Sequence, residues 1–134
     1  MTGVADNEWL SRFVLFSRWV RGSGPDKTVK PDAFIPHPYP DLSVTRRKNL
    51  SEQELWRVGQ GIADLRPATL YGRADIQASE VRRWSLDVEP RPVANNPNHA
   101  TVIGWPTDKP AQKIVALKLA AEASFIPKPL PGQG

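Results

Sequence analysis

Residues 42–64 read LSVTRRKNLSEQELWRVGQGIAD, and no other part of the 134-residue chain carries a clearer structural signal. The alternation of apolar and polar residues from Leu42 to Lys48 predicts a strand. Ser51 and Glu54 then form an S-x-x-E capping box, in which each side chain binds a backbone amide at a helix start. A helix from Glu52 to about Asp64 is therefore predicted. Its buried side is expected to consist of Leu55, Val58 and Ile62.

Two glycines, Gly59 and Gly61, interrupt this helix. Each costs up to about 1 kcal/mol relative to alanine in a helix interior, so a specific reason for each is expected. Close packing of the helix backbone against a neighbouring element is the usual reason, and a ligand that approaches the helix is the alternative.

The residues after the helix predict three more strands. Leu70 to Val81 reads as a long strand and Arg83 to Glu89 as a second one. A turn at residues 79–82 would join these two as an antiparallel hairpin. His99 to Trp105 then reads as a short strand or extended segment.

A second helix is predicted near the C-terminus. Thr107 or Asp108 caps it, Pro110 is tolerated in its first turn, and it runs to about Ser124. The residues expected to face the core are Ile114, Val115, Leu117, Ala121 and Phe125. Three prolines in the last nine residues then predict an extended, polyproline-like tail.

The N-terminal third is ambiguous. Residues 7–11 favour a helix or a loop, whereas residues 12–21 are rich in Phe, Val and Trp and favour a strand. Prolines between residues 22 and 41 exclude a continuous helix or an interior strand there. The apolar residues expected to anchor this irregular segment to the core are Ala33, Phe34 and Ile35.

Strands that follow one another without helices between them favour an antiparallel sheet. The predicted fold class is therefore α+β: a small antiparallel sheet backed by two helices on the same side, with a proline-rich irregular segment and an extended C-terminal tail. Residues 1–125 are predicted to form a single domain and residues 126–134 the tail.

Composition narrows the function classes. The chain has no cysteine, which excludes disulfides, thiolate metal sites and a cysteine nucleophile. No apolar run is long enough to cross a bilayer, so no membrane partner is expected, and without a signal peptide the chain is expected to be cytoplasmic. Its 18 Lys and Arg residues against 14 Asp and Glu residues give a formal net charge of +4, which favours a polyanionic partner.

No complete catalytic motif, cofactor loop or metal-ligand spacing is found, so neither a cofactor nor a metal is expected. The first hypothesis is a small, basic, non-catalytic interaction module, an accessory subunit that binds a larger protein or a nucleic acid. Arginine and tryptophan are enriched at the centres of interfaces. The residues expected to make the contact are Arg46, Arg47, Arg73, Trp56 and Trp105.

The second hypothesis is a small, metal-independent phosphodiesterase or phosphotransferase. His37 and His99 would serve as acid and base, and Arg46 with Arg73 would hold the phosphate. This hypothesis requires the four side chains to converge on one site.

Overall fold

The computed structural model describes residues 3–130, so the last four residues of the predicted tail lie outside the described part. Its helices and strands are β1 (Trp9–Val14), β2 (Val20–Arg21), β3 (Thr28–Val29), β4 (Leu42–Arg46), α1 (Glu52–Leu65), β5 (Gly72–Gln77), α2 (Ala78–Arg82), β6 (Asp87–Pro90), β7 (His99–Ile103), α3 (Lys109–Glu122) and β8 (Ser124–Pro127). Short 3-10 turns lie at Ser17–Trp19, Gly24–Asp26 and Pro31–Phe34.

Within residues 3–130, six strands form one antiparallel sheet in the order β6-β7-β4-β1-β5-β8, which confirms the predicted α+β class. The short strands β2 and β3 pair only with each other. The first strand, β1, lies inside the sheet. β5 pairs with all six of its residues, and β4 pairs with Leu10 and Ser11.

This pairing corrects the limits predicted for the N-terminal strand. The strand begins at Trp9, where a helix or loop was expected, and it ends at Val14 rather than Arg21. All six residues of β1 pair with β5. A helix at residues 7–11 would not allow the pairing of residues 9–11 with β5. After Val14 the chain turns at Ser17–Trp19.

The hairpin predicted between residues 70 and 89 is wrong. The chain forms α2 after Gln77, and β5 and β6 lie on opposite sides of β1 instead of side by side. The helical turn places Ala78 and Val81 together in the core. Arg82 at its end donates hydrogen bonds to Asp6 and Asp87. These tertiary contacts outweigh the strand propensity of the segment.

Both predicted helix starts are confirmed. The Ser51 hydroxyl accepts a hydrogen bond from the Glu54 amide, and the Glu54 carboxylate accepts one from the Ser51 amide. Asp108 accepts a hydrogen bond from the amide of Ala111 at the start of α3. Local hydrogen bonds between residues three positions apart therefore set where both helices begin.

The two helices cover opposite faces of the sheet, not the same face as predicted. On one face, Leu10 and Val14 of β1 belong to the same core cluster as Ala116 and Leu119 of α3. On the other face, called the α1 face below, Phe13 belongs to a second cluster with residues of α1. Alternation along β1 supplies apolar side chains to both faces.

Gly59 explains how closely α1 approaches the sheet. A Cβ added to Gly59 would lie 2.5 Å from the ring of Phe13, whereas one added to Gly61 would meet nothing within 4 Å. The packing explanation is therefore confirmed for Gly59 and does not apply to Gly61.

The buried side of α3 differs from the predicted one. Ile114 and Leu117 are 60% and 55% exposed, and the buried residues are Gln112, Ala116 and Leu119. Of the other residues predicted to face the core, Val115 and Phe125 are partly buried and Ala121 is exposed. α3 packs on the turn Pro31–Phe34, whose Ala33 and Phe34 are buried as expected.

The chain continues from α3 almost directly into the edge strand β8, which pairs with β5. The boundary predicted between domain and tail falls inside this strand. Pro127 stands at the end of β8, and proline is tolerated at such a position because an edge strand has a free side.

Candidate functional site

Two of the arginines predicted to bind a partner belong to a polar cluster on the α1 face, formed by Ser11, Arg47, Glu52, Arg73 and Asp75. Arg73 is only 1% exposed. It donates hydrogen bonds to Asp75 at 3.1 Å and to Glu52 at 2.8 and 3.0 Å. Arg47 donates to the same two carboxylates, and the Ser11 hydroxyl donates to Asp75 at 2.7 Å.

The polar cluster also takes in one of the predicted tryptophans. The ring centroid of Trp56 lies 4.7 Å from the guanidinium carbon of Arg73. The hydrogen bonds from Arg73 lower the pKa of Glu52 below its ordinary value of 4.5. The structure thus brings Arg47, Arg73 and Trp56 together. The guanidinium groups of the two arginines, however, are already paired with the carboxylates of Glu52 and Asp75.

Arg46 and Trp105 lie apart from this cluster. Arg46 holds the Glu8 carboxylate with two hydrogen bonds of 2.8 Å, which lower the pKa of Glu8. Trp105 is buried, and its indole nitrogen donates to the carbonyl of Val102 at 3.0 Å. Neither residue therefore presents a free charge or a large exposed ring.

The two histidines differ in their surroundings. His37 is exposed in the proline-rich segment. His99 is partly buried at the start of β7, and its Nδ1 lies 2.7 Å from the carbonyl of Arg91. Because a carbonyl only accepts hydrogen bonds, Nδ1 carries a proton and Nε2 is the acceptor in the neutral ring. The recesses that His99 lines include neither His37, Arg46 nor Arg73.

What His99 does line is a concave region next to the C-terminal end of α1. We call it the arginine recess and define it by Arg12, Ser43 and Arg66, which line both of its parts. The narrow part has a volume of about 60 Å³ and the wide part about 380 Å³. Further residues of the narrow part include Phe16, Trp19 and His99, and those of the wide part include Tyr39, Asp41 and Arg91.

Two backbone carbonyls hold the Arg12 guanidinium in the lining of the recess. Its Nε donates to the carbonyl of Ala33 at 2.8 Å, and its Nη1 donates to the carbonyl of Ser43 at 3.1 Å. Burial, together with the positive charge of Arg66, lowers the pKa of Arg12 to about 10. Among residues 3–130, neither Arg12 nor Arg66 forms an ion pair with a carboxylate.

Two neighbouring guanidiniums that no carboxylate of residues 3–130 pairs with make a site suited to an anion. Burial strengthens the interaction of a charge with a ligand because fewer water molecules screen it. Phosphate and carboxylate oxygens match the fork of N–H donors on arginine. The recess can therefore bind an oxyanion without rearrangement of an existing ion pair.

Sequence reasoning missed Arg12 and Arg66. The signal available for Arg12 was a single charge inside the largely apolar stretch WLSRFVLF, residues 9–16. Arg66 had no comparable signal, because it is the exposed residue that follows α1. Their proximity depends on which face α1 covers, and that is a tertiary property.

No group of three or more side chains suited to hold a metal ion is found within the described residues. No helix in that part of the chain combines the length and the apolar character needed to cross a membrane.

Comparison with known proteins gives no match to any family model, curated protein or solved structure.

Proposed function

We propose that this chain is a small, non-catalytic module that binds nucleic acid through the arginine recess. One observation carries the proposal: Arg12 and Arg66 line the same concavity, and no carboxylate in residues 3–130 pairs with either. The two positive charges repel each other in the free protein. A phosphate bound by both would replace that repulsion with charge-assisted hydrogen bonds.

A nucleic acid suits this region better than a large protein partner does. Interfaces with proteins are centred on buried apolar and aromatic side chains. The tryptophans expected to supply them are occupied, Trp56 against Arg73 and Trp105 in the core. The recess instead contains three arginines, Arg12, Arg66 and Arg91, beside aromatic side chains such as Phe16 and Trp19, and Asp41 is its acidic member.

The test is fluorescence anisotropy with a labelled RNA of about 12 nucleotides, a length within the range that small domains occupy. Affinity is expected to fall steeply between about 50 and about 200 mM salt, because phosphate contacts release counterions. Arg66→Ala should weaken binding about tenfold and reduce the magnitude of the salt slope by about one.

Arg57→Ala is the matched control. Arg57 is an exposed arginine of α1, the helix that Arg66 follows, it does not line the arginine recess, and its loss removes the same charge. Equal effects of the two substitutions would mean that net charge alone attracts the RNA. Absence of binding at low salt would overturn the proposal.

His99 gives one specific reason to keep the phosphodiesterase as a second candidate. Its ring lines the recess beside Arg12 and Arg66, with Nδ1 fixed by the Arg91 carbonyl. The same RNA, recovered after incubation and run on a denaturing gel, separates the two functions. Intact RNA supports the binding module, whereas cleavage that His99→Ala abolishes supports the enzyme.

A further inference from the structure

An exposed aromatic ring stands at the edge of the arginine recess. Phe16 is 41% exposed, although Phe13 and Leu15 just before it are buried. Phe16 and Trp19 line the narrow part of the recess together with Arg12 and Arg66. We call Phe16 and Trp19 the aromatic pair.

The 3-10 turn creates this pair. In a continuous strand, residues three positions apart point to opposite sides. Because the chain turns at Ser17–Trp19, the two rings meet edge to face, with centroids 4.8 Å apart and planes inclined at 61°. The turn therefore gives the recess an aromatic wall that a strand would not.

Arginines lie on both members of the pair. The guanidinium carbon of Arg18 is 4.4 Å from the ring centroid of Phe16, and that of Arg12 is 5.3 Å from the ring of Trp19. Arg18 is exposed and has no ion pair among residues 3–130. A flat ligand can replace the Arg18 guanidinium on the Phe16 ring, and the charge of Arg18 is then free to bind a second phosphate.

The shape of the site excludes a double helix as the preferred ligand. Proteins read duplex grooves with a protruding helix or ribbon, whereas this surface is concave. Phe16 lines the narrow part, of about 60 Å³, so a base would stack on the exposed side of its ring, and the strand could continue into the wide part, of about 380 Å³. Bases in a duplex are also already stacked on each other, so their faces are not available to an aromatic side chain.

On the basis of the proposed function, we infer that the ligand is a single-stranded nucleic acid, with one base stacked on Phe16 and its phosphate held by Arg12 and Arg66. Stacking on aromatic rings combined with backbone contacts to cations is how single strands are bound without strict sequence preference.

The test compares one labelled RNA of about 12 nucleotides with its duplex at the same salt concentration. The single strand should bind roughly tenfold or more tightly than the duplex. Phe16→Leu should weaken binding of the single strand about fivefold or more and leave the salt slope unchanged, because it removes stacking but no charge. Phe16→Trp should retain binding.

Trp9→Leu serves as the control, since Trp9 is 43% exposed but lies at the other end of β1, outside the recess. Equal binding of strand and duplex, or equal effects of Phe16→Leu and Trp9→Leu, would overturn this inference and leave the proposed function standing. If neither RNA binds, the proposed function itself fails. Thermal unfolding of each variant shows that a loss of binding is not a loss of fold.

Discussion

The buried carboxylate of Asp75 binds arginines that the sequence suggested were free to bind a partner. In the sequence, Arg73 and Asp75 fall on the polar side of an alternating strand, which usually faces solvent. The structure covers that side with α1, and Asp75 accepts hydrogen bonds from Ser11, Arg47 and Arg73. The positive charges that suggested an external anion are thus neutralised inside the protein.

We expect Asp75→Asn to lower the free energy of unfolding by roughly 2–4 kcal/mol, because it leaves the buried Arg73 with one carboxylate fewer. Urea denaturation measures the change. Asp64→Asn is the control, since Asp64 is exposed and accepts a hydrogen bond from Gln60 on the same helix. A loss no larger than that of the control would show that Glu52 alone satisfies Arg73.

At the scale of the element, helix starts could be predicted and helix positions could not. The capping box of Ser51 and Glu54 is made within four residues, so the sequence contains all of it. Which face of the sheet α1 covers depends on Phe13, which lies far away in the chain. The exposed Ile114 and Leu117 of α3 show the same limit, because periodicity alone did not reveal that α3 buries Gln112, Ala116 and Leu119 instead.

The two glycines of α1 give a matched pair of substitutions. Gly59→Ala is expected to destabilise the protein by about 1–3 kcal/mol, because the new Cβ overlaps the ring of Phe13. Gly61→Ala is expected to stabilise it by up to about 1 kcal/mol through helix propensity, since the position is open. Melting temperatures of the two variants should therefore move in opposite directions, and a Gly59→Ala variant that melts no lower than the parent protein would contradict the packing at Gly59.

At the scale of the whole molecule, carboxylates held by arginines connect distant parts of the chain and make its stability depend on pH. Hydrogen bonds from Arg46, Arg73 and Arg82 lower the pKa values of Glu8, Glu52 and Asp87 below their ordinary values of 4.5, 4.5 and 3.8. The folded state therefore binds fewer protons than the unfolded state in the acidic range. This contribution to stability is present at pH values above the ordinary pKa values. It is lost as the pH falls through the lowered pKa values.

The urea midpoint is accordingly expected to be nearly constant near pH 6 and to fall towards about pH 3. Glu8→Gln should flatten this dependence, because it removes one of the groups whose pKa is lowered. Glu122→Gln, at an exposed position of α3, should leave it nearly unchanged. A midpoint that rises on acidification would contradict the ion-pair assignment.

The arginine recess is formed by segments from several parts of the chain, and for that reason it could not be predicted from the sequence. It needs β1, the end of α1, the proline-rich segment and the loop before β7 to meet. Local patterns predicted a strand at residues 42–48, observed as Leu42–Arg46, and the helix after it, whereas the order of strands in the sheet arises from pairing between remote segments. Arg12 and Arg66 become neighbours only through that order.

The central position of β1 has a consequence for how the chain reaches this structure. One flank of β1 is completed by β5, and Ser11 and Asp75, which bond across it, are 64 residues apart. Closing such long loops is entropically costly, and proteins dominated by remote pairings fold in milliseconds to seconds. Until β5 pairs with it, that edge of the segment WLSRFVLF is unpaired and open to association with other chains, which favours aggregation of the incompletely folded chain.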